Sequence, residues 1–182
     1  MPNKSVRDLF RDHRQAPENA ALVTRGVKAL TIGAFFLVTS VGFAQEPVVG
    51  VANPESLFAD ANPKLNANKQ AALHIMKDLL QCNHWNEADK WLTARYVQHN
   101  PNVASGREGV VKFFGTRPRT PTCDKLTTKI VAVLADGDLV TVVIPRERTD
   151  PKDPSKTYTT SWFDMWRFVD GKADEHWDPA TR

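Results

Sequence analysis

Residues 157–178 read TYTTSWFDMWRFVDGKADEHWD. Two runs of alternating character flank Val169-Asp170-Gly171, and the period of two marks a β-hairpin with one buried face. Along the first run, predicted as a strand over 157–168, Tyr158, Thr160, Trp162, Asp164, Trp166 and Phe168 share a face, because successive side chains in a strand point to opposite sides. Along the second, predicted over 172–177, Asp174, His176 and Asp178 share a face and Trp177 points away. Whether the two faces coincide depends on the turn. A two-residue Asp170-Gly171 turn pairs Asp164 with Trp177 and sets Asp178 opposite Phe163. A three-residue loop with Gly171 in the left-handed region pairs Phe168 with Lys172, so that Asp164 faces His176 and Trp162 faces Asp178. Local chemistry allows either.

Moving back along the chain, the period of two continues. Strands are predicted over 126–135 and 139–148, joined by Asp136-Gly137-Asp138, and a polar loop with two prolines follows over 149–156. Before Pro121 the pattern is helical. Ala71, Leu73, Ile75, Met76, Leu79 and Leu80 recur near a period of 3.6 from Leu65 onward, and a second short helix is predicted over 85–92. A strand over 96–99 ends at Asn100-Pro101. Ser105 then caps a third helix over 108–114, with Glu108 three residues on to complete a capping box. Helices followed by an antiparallel meander predict an α+β fold with helices on one side of a curved sheet. Five tryptophans imply a large aromatic core or an aromatic pocket.

The chain divides into three: a leader over 1–44, a Pro/Ala/Asn-rich linker or N-terminal arm over 45–64, and the domain proper over 65–182. Residues 29–44 carry no charge, follow Arg25 and Lys28, and close on Gly42 and Ala44, which is the pattern of a secretory signal peptide. A spanning helix needs about 20 apolar residues, so cleavage after Ala44 is expected, with export to the periplasm or beyond and no stable membrane span afterwards. The 182 residues carry 24 basic and 21 acidic side chains; removing the leader's six basic and three acidic ones leaves eighteen of each. A neutral mature domain offers no electrostatic case for nucleic acid. Cys82 and Cys123 either pair in an oxidising compartment or remain two buried thiols. Neither has metal-ligand spacing with another Cys or His.

Several segments together resemble the SnoaL-like family of the nuclear-transport-factor-2-like superfamily. They are Tyr96-Val97-Gln98-His99-Asn100-Pro101, Gly106-Arg107-Glu108-Gly109 leading to Phe113-Phe114, Asp136-Gly137-Asp138-Leu139-Val140, Phe163 to Phe168, Asp170-Gly171-Lys172, and Glu175-His176-Trp177-Asp178. The resemblance covers roughly residues 65–178. It implies a cone in which three N-terminal helices pack on a strongly curved, mostly antiparallel sheet. It also implies acid/base chemistry by an aspartate, as in cyclases that close rings by aldol condensation, with no cofactor and no metal. The superfamily holds isomerases, dehydratases and non-catalytic binding modules as well, so fold alone does not assign activity. The chain departs from the pattern at Val142-Val143-Ile144, where a histidine is often found, and at Ala173-Asp174, where the family has an apolar pair. The Asp164 and Asp178 positions both line the pocket in the family, which favours the three-residue loop.

A carboxylate walled by tryptophans is pushed toward a neutral-range pKa and can exchange protons at working pH. Asp178 is therefore the candidate acid/base, with Asp164 and His176 as partners; His99, Trp162, Trp166 and Tyr96 are candidates for substrate binding. The structural alternatives are a sheet-end cap for Asp178, a satisfied buried pair for Asp164 and His176, and a turn lock for His99. Two functions follow: cofactor-independent acid/base chemistry on a small apolar carbonyl compound, or a carrier for a small hydrophobic ligand in the same pocket. The resemblance also implies a homodimer through the sheet as one assembly, which the aromatic content permits.

Overall fold

A computed structural model describes residues 45–182; the expected leader and its apolar segment over 29–44 lie outside the described residues. Helix α1 (Pro63–His74) starts at Asn62, whose side chain accepts from the backbone N–H groups of Lys64 and Leu65, with Pro63 at the first helical position. It widens without a break into a π-helical stretch, Ile75–Gln81. A 3-10 turn (Trp85–Glu87) runs into the short α2 (Ala88–Trp91), strand β1 (Leu92–Gln98) follows, and α3 spans Arg107–Phe114. Strands β2 (Ala132–Asp136), β3 (Leu139–Thr149), β4 (Thr157–Val169) and β5 (Lys172–Trp177) complete a five-stranded curved sheet. Its order is β1-β5-β4-β3-β2, with β1 parallel to β5 and every other pair antiparallel. The fold is the α+β cone expected from sequence.

The core lies between the helices and the inner sheet face. Phe58, Leu79, Leu92, Leu126, Ile130, Val140, Val142 and Trp166 are its fully buried large side chains. Each contributes on the order of 1.5–3 kcal/mol through apolar burial. Phe58 belongs to the predicted arm. That arm is docked rather than loose: Val51 N–H donates to the Ile130 carbonyl at 2.8 Å, a 3-10 turn forms over Pro54–Phe58, and Phe58 is sealed in the core. Gly50 permits the approach, since a Cβ there would sit 2.9 Å from the Lys129 Cβ.

Three local expectations are corrected. Ser105 does not cap α3; Gly106 occupies the N-cap with φ 87°, and Ser105 Oγ accepts the Gln98 N–H at 3.0 Å, because the loop doubles back on β1. The strand predicted over 126–135 is confined to Ala132–Asp136. Pro145 on β3 has no N–H to offer on the side where β2 would continue, so the ladder stops near Val143. Residues 126–128 bond elsewhere instead: Leu126 N–H to Glu55 Oε1, and Thr127 and Thr128 N–H to Gln81 Oε1.

The third correction concerns the closing hairpin. The turn is the two-residue form, with Asp170 (φ 48°) and Gly171 (φ 76°) both left-handed and Val169 paired with Lys172. The register then shifts between Arg167 and Phe168. Phe168 faces Ala173 but Arg167 faces Glu175, so Asp174 is an extra residue on β5, a bulge. Beyond it Trp166 pairs with His176 and Met165 with Trp177. The bulge restores the parity that the three-residue loop was expected to supply. It also removes Asp174 from the shared inner face: its carboxylate bonds Thr93 Oγ1 at 2.7 Å and pairs with the Arg95 guanidinium.

Cys82, at the end of the π-helical stretch, is disulfide-bonded to Cys123 in the loop after α3, with Cα atoms 6.0 Å apart. No helix among the described residues is long and apolar enough to cross a membrane.

Candidate functional site

The cone encloses a cavity of about 550 Å³. Three strands supply its polar floor. Trp162, Asp164 and Trp166 project from alternate positions of β4, His176 from β5, and Tyr96 and Gln98 from β1. Asp178 and Asn100 lie just past the ends of β5 and β1. Ile75, Met76 and Leu80 of the first long helix, with Trp85, Val110 and Phe114, form the apolar roof.

Asp164, His176 and Asp178 converge, each offering a ligand atom within 4.8 Å of the others. Their hydrogen bonds set where protons reside. Gln98 Oε1 accepts the backbone N–H of Asn100 at 3.0 Å, an obligate donor that orients the amide. The same oxygen lies 2.7 Å from His176 Nδ1, so Nδ1 carries a proton. Nε2 then faces Asp164 Oδ1 at 3.2 Å. Trp162 Nε1 donates to that same oxygen at 3.0 Å. Asp164 and His176 are both buried.

Asp178 is held differently. Asn100 Oδ1 accepts the Asn102 N–H, which turns Asn100 Nδ2 toward Asp178 Oδ2 at 2.7 Å. Asp178 Oδ1 accepts the Ala180 N–H at 2.9 Å. The residue therefore lines the cavity and caps the strand end at once. Tyr96 is buried, and its hydroxyl accepts from Trp166 Nε1 at 3.0 Å. Burial pushes the phenol far above its ordinary value, and the nearby Asp164 and Asp178 charges push it the same way. The hydroxyl stays protonated and remains a donor.

His99 is the candidate that the structure moves out of the site. Alternation on β1 turns Tyr96 and Gln98 inward and His99 outward. The His99 ring stacks on Trp177 at 5.1 Å and meets Glu175 Oε1 at 2.8 Å on the exposed side. The remaining candidates, Asp178, Asp164, His176, Trp162, Trp166 and Tyr96, all line the one cavity. Gln98 and Asn100 were not singled out as site residues from sequence, though each follows Tyr96 at an even offset on the same strand face. Trp85 is a cavity wall, stacked on Phe114 at 5.0 Å.

The trio also has the donor types of a divalent-cation site. Such an ion would have to displace the His176–Asp164 bond and compete with Trp162 and Asn100, whose N–H groups already occupy the carboxylates. The arrangement suits proton transfer better than metal binding.

A family model described as a SnoaL-like domain matches residues 76–176. No curated protein matches the chain significantly. Among solved structures, the chain is similar to a protein assigned as a polyketide cyclase from Acidithiobacillus ferrooxidans, at 19% identity over 66% of this chain and 89% of that one, with TM-score 0.46. It is also similar to an NTF2-like protein of unknown function from Burkholderia pseudomallei (15% identity, 63% and 91% covered, TM-score 0.45). A third is an LEH-like epoxide hydrolase from M. tuberculosis (14% identity, 62% and 80% covered, TM-score 0.43).

Proposed function

The chain belongs to the SnoaL-like family, and from that premise we propose that it is an exported enzyme of cofactor-independent acid/base chemistry on a small, largely apolar carbonyl compound. The reaction class is enolisation leading to aldol ring closure, isomerisation or dehydration. The observation that carries this reading is the oriented set Gln98–His176–Asp164 beside Asp178 on the wall of a cavity roofed by apolar side chains. Few polar groups converging in an apolar pocket are what such a site requires.

The roles follow from the hydrogen bonds. Asp178, held in place by Asn100 and Ala180, removes the proton from the carbon next to the substrate carbonyl. The C–H pair moves into the enolate as that bond breaks. Tyr96, a protonated donor, stabilises the developing oxyanion. The proton shared by His176 and Asp164 is delivered to oxygen. In ring closure the enolate carbon attacks a second carbonyl, and the resulting alkoxide takes that proton instead. Trp162 and Trp166 enclose the carbonyl and keep water out.

The test is hydrogen–deuterium exchange at the α-carbon of an enolisable probe, butyrophenone in D₂O, followed by NMR. Removing a general acid or base costs about 10²–10⁴ in rate, so Asp178→Asn and Asp164→Asn are expected to lose at least ~100-fold while EDTA changes nothing. Exchange no faster than buffer, or untouched by both substitutions, sinks the enzyme reading and leaves the cavity as a carrier site for an apolar ligand. Export is supported by the Cys82–Cys123 disulfide, since such bonds persist in oxidising compartments. Intact mass of the matured protein is expected to start at Gln45; an N-terminus retained at Met1 would contradict it.

A further inference from the structure

We infer that the cavity's ligand carries an oxyanion, carboxylate or phosphate ester, at the end of its apolar body, bound by Arg146 and Arg117. This names the substrate class of the site above and rests on that reading. Both arginines line the cavity. The Arg146 guanidinium lies over the Trp162 ring at 4.1 Å, and that of Arg117 over the Phe114 ring at 5.1 Å. Stacking engages the flat face of a guanidinium and leaves its edge donors free. Among the described residues neither side chain donates a hydrogen bond or meets a carboxylate. The contrast with other arginines is plain: Arg167 is divided between Asp138 and Glu175, Arg95 pairs with Asp174, and Arg107 reaches the Leu92 carbonyl. Two cationic side chains on the wall of one cavity, each over an aromatic ring and each with its N–H donors uncommitted, suit an oxyanion.

Arg146 pairs across the sheet with Thr160, and its guanidinium folds back along β4 over Trp162, whose Nε1 bonds Asp164. Trp85 stacks on the same Phe114 that carries Arg117. The Arg117 loop is itself anchored: Asn83 Nδ2 donates to the Pro118 carbonyl at 3.0 Å, and Thr120 N–H to the Cys82 carbonyl at 3.0 Å.

The experiment is isothermal titration calorimetry of the full chain with 6-oxo-6-phenylhexanoate, its methyl ester and 4-phenylbutyl phosphate. The acid is expected to bind at least ~10-fold more tightly than the ester, the scale of a charge-assisted pair. That preference shrinks as salt rises, falls in Arg146→Gln and Arg117→Gln, and is partly kept in Arg146→Lys, which retains charge without the fork. Whichever of the acid and the phosphate binds more tightly identifies the head group. Ester binding as tight as acid, or an acid preference unchanged in the double glutamine variant, overturns the inference. If the variants misfold by circular dichroism, the acid–ester comparison on the unsubstituted chain decides alone. Proton exchange retained with no anion preference refutes this inference only; anion preference without exchange refutes the acid/base reading only.

Discussion

Replacing both Cys82 and Cys123 by serine measures what the disulfide does for this domain. The bond closes a loop of 41 residues. In the chain-entropy treatment, cross-linking a loop of that length removes about 13 cal/mol/K from the unfolded ensemble, or about 4 kcal/mol at 25 °C. Domains hold only about 5–15 kcal/mol in total, so the loss is a large share. At about 2.1 cal/mol/K per residue of unfolding entropy, the described domain is expected to melt roughly 14 °C lower without the bond. The assay is urea unfolding followed by tryptophan fluorescence, in parallel on the serine variant and on the parent with and without dithiothreitol. Reduced parent and variant should coincide, both with a steeper slope than the oxidised parent, because the unfolded chain without the cross-link exposes more surface. A loss under about 1 kcal/mol would refute the reasoning, because it would mean the end of the long helix and the loop after α3 are already confined when unfolded. The same bond anchors the loop carrying Arg117, so reduction is also expected to weaken the anion preference before the fold is lost.

Two further outcomes follow from the sheet. The Arg95 guanidinium, and then Thr93, hold the buried Asp174 carboxyl below its ordinary 3.8. A depressed folded value stabilises the protein above the unfolded pKa, and that contribution is lost as pH falls through the folded value. Asp174→Asn is therefore expected to lower stability at pH 7 and to flatten the stability–pH curve below about pH 4; an unchanged acid limb in urea titrations would contradict it. On the outer sheet face Phe163 and Leu134 are exposed, and we propose that this face pairs two copies. Sedimentation equilibrium is expected to give a dimer that Phe163→Glu converts to monomer; a monomeric parent would reject the assembly.

Much of the fold was legible because it rests on local periodicity. The helical spacing from Ala71 to Leu79 and the alternation through 157–177 are one-dimensional patterns, each dictated by the geometry of its own element. Val169-Asp170-Gly171 marks the place of the hairpin turn through backbone chemistry that needs no distant partner, though not which of its two forms is adopted. The inner face of β4, with Trp162, Asp164 and Trp166 together, could be read in the same way.

What tertiary structure alone decided depended on partners far away in sequence. The bulge at Asp174 is one case: nothing in KADEHW signals it, yet Arg95 and Thr93 draw that carboxylate to the outer side and thereby return His176 and Asp178 to the cavity. Leu126 and Ile130 are another. Their composition is that of a strand, but Pro145 on the neighbouring strand withholds the donor, and Gln81 and Glu55 bond that segment instead. His99 is a third, excluded from the site because β1 enters the sheet with Tyr96 inward. Pairing of Cys82 with Cys123 and the convergence of Arg117 and Arg146 on one cavity belong to the same class. A residue's secondary structure is largely set by its near neighbours through backbone sterics, whereas its partner across the sheet or cavity is set by register, and a one-residue shift in register exchanges every inward side chain for an outward one.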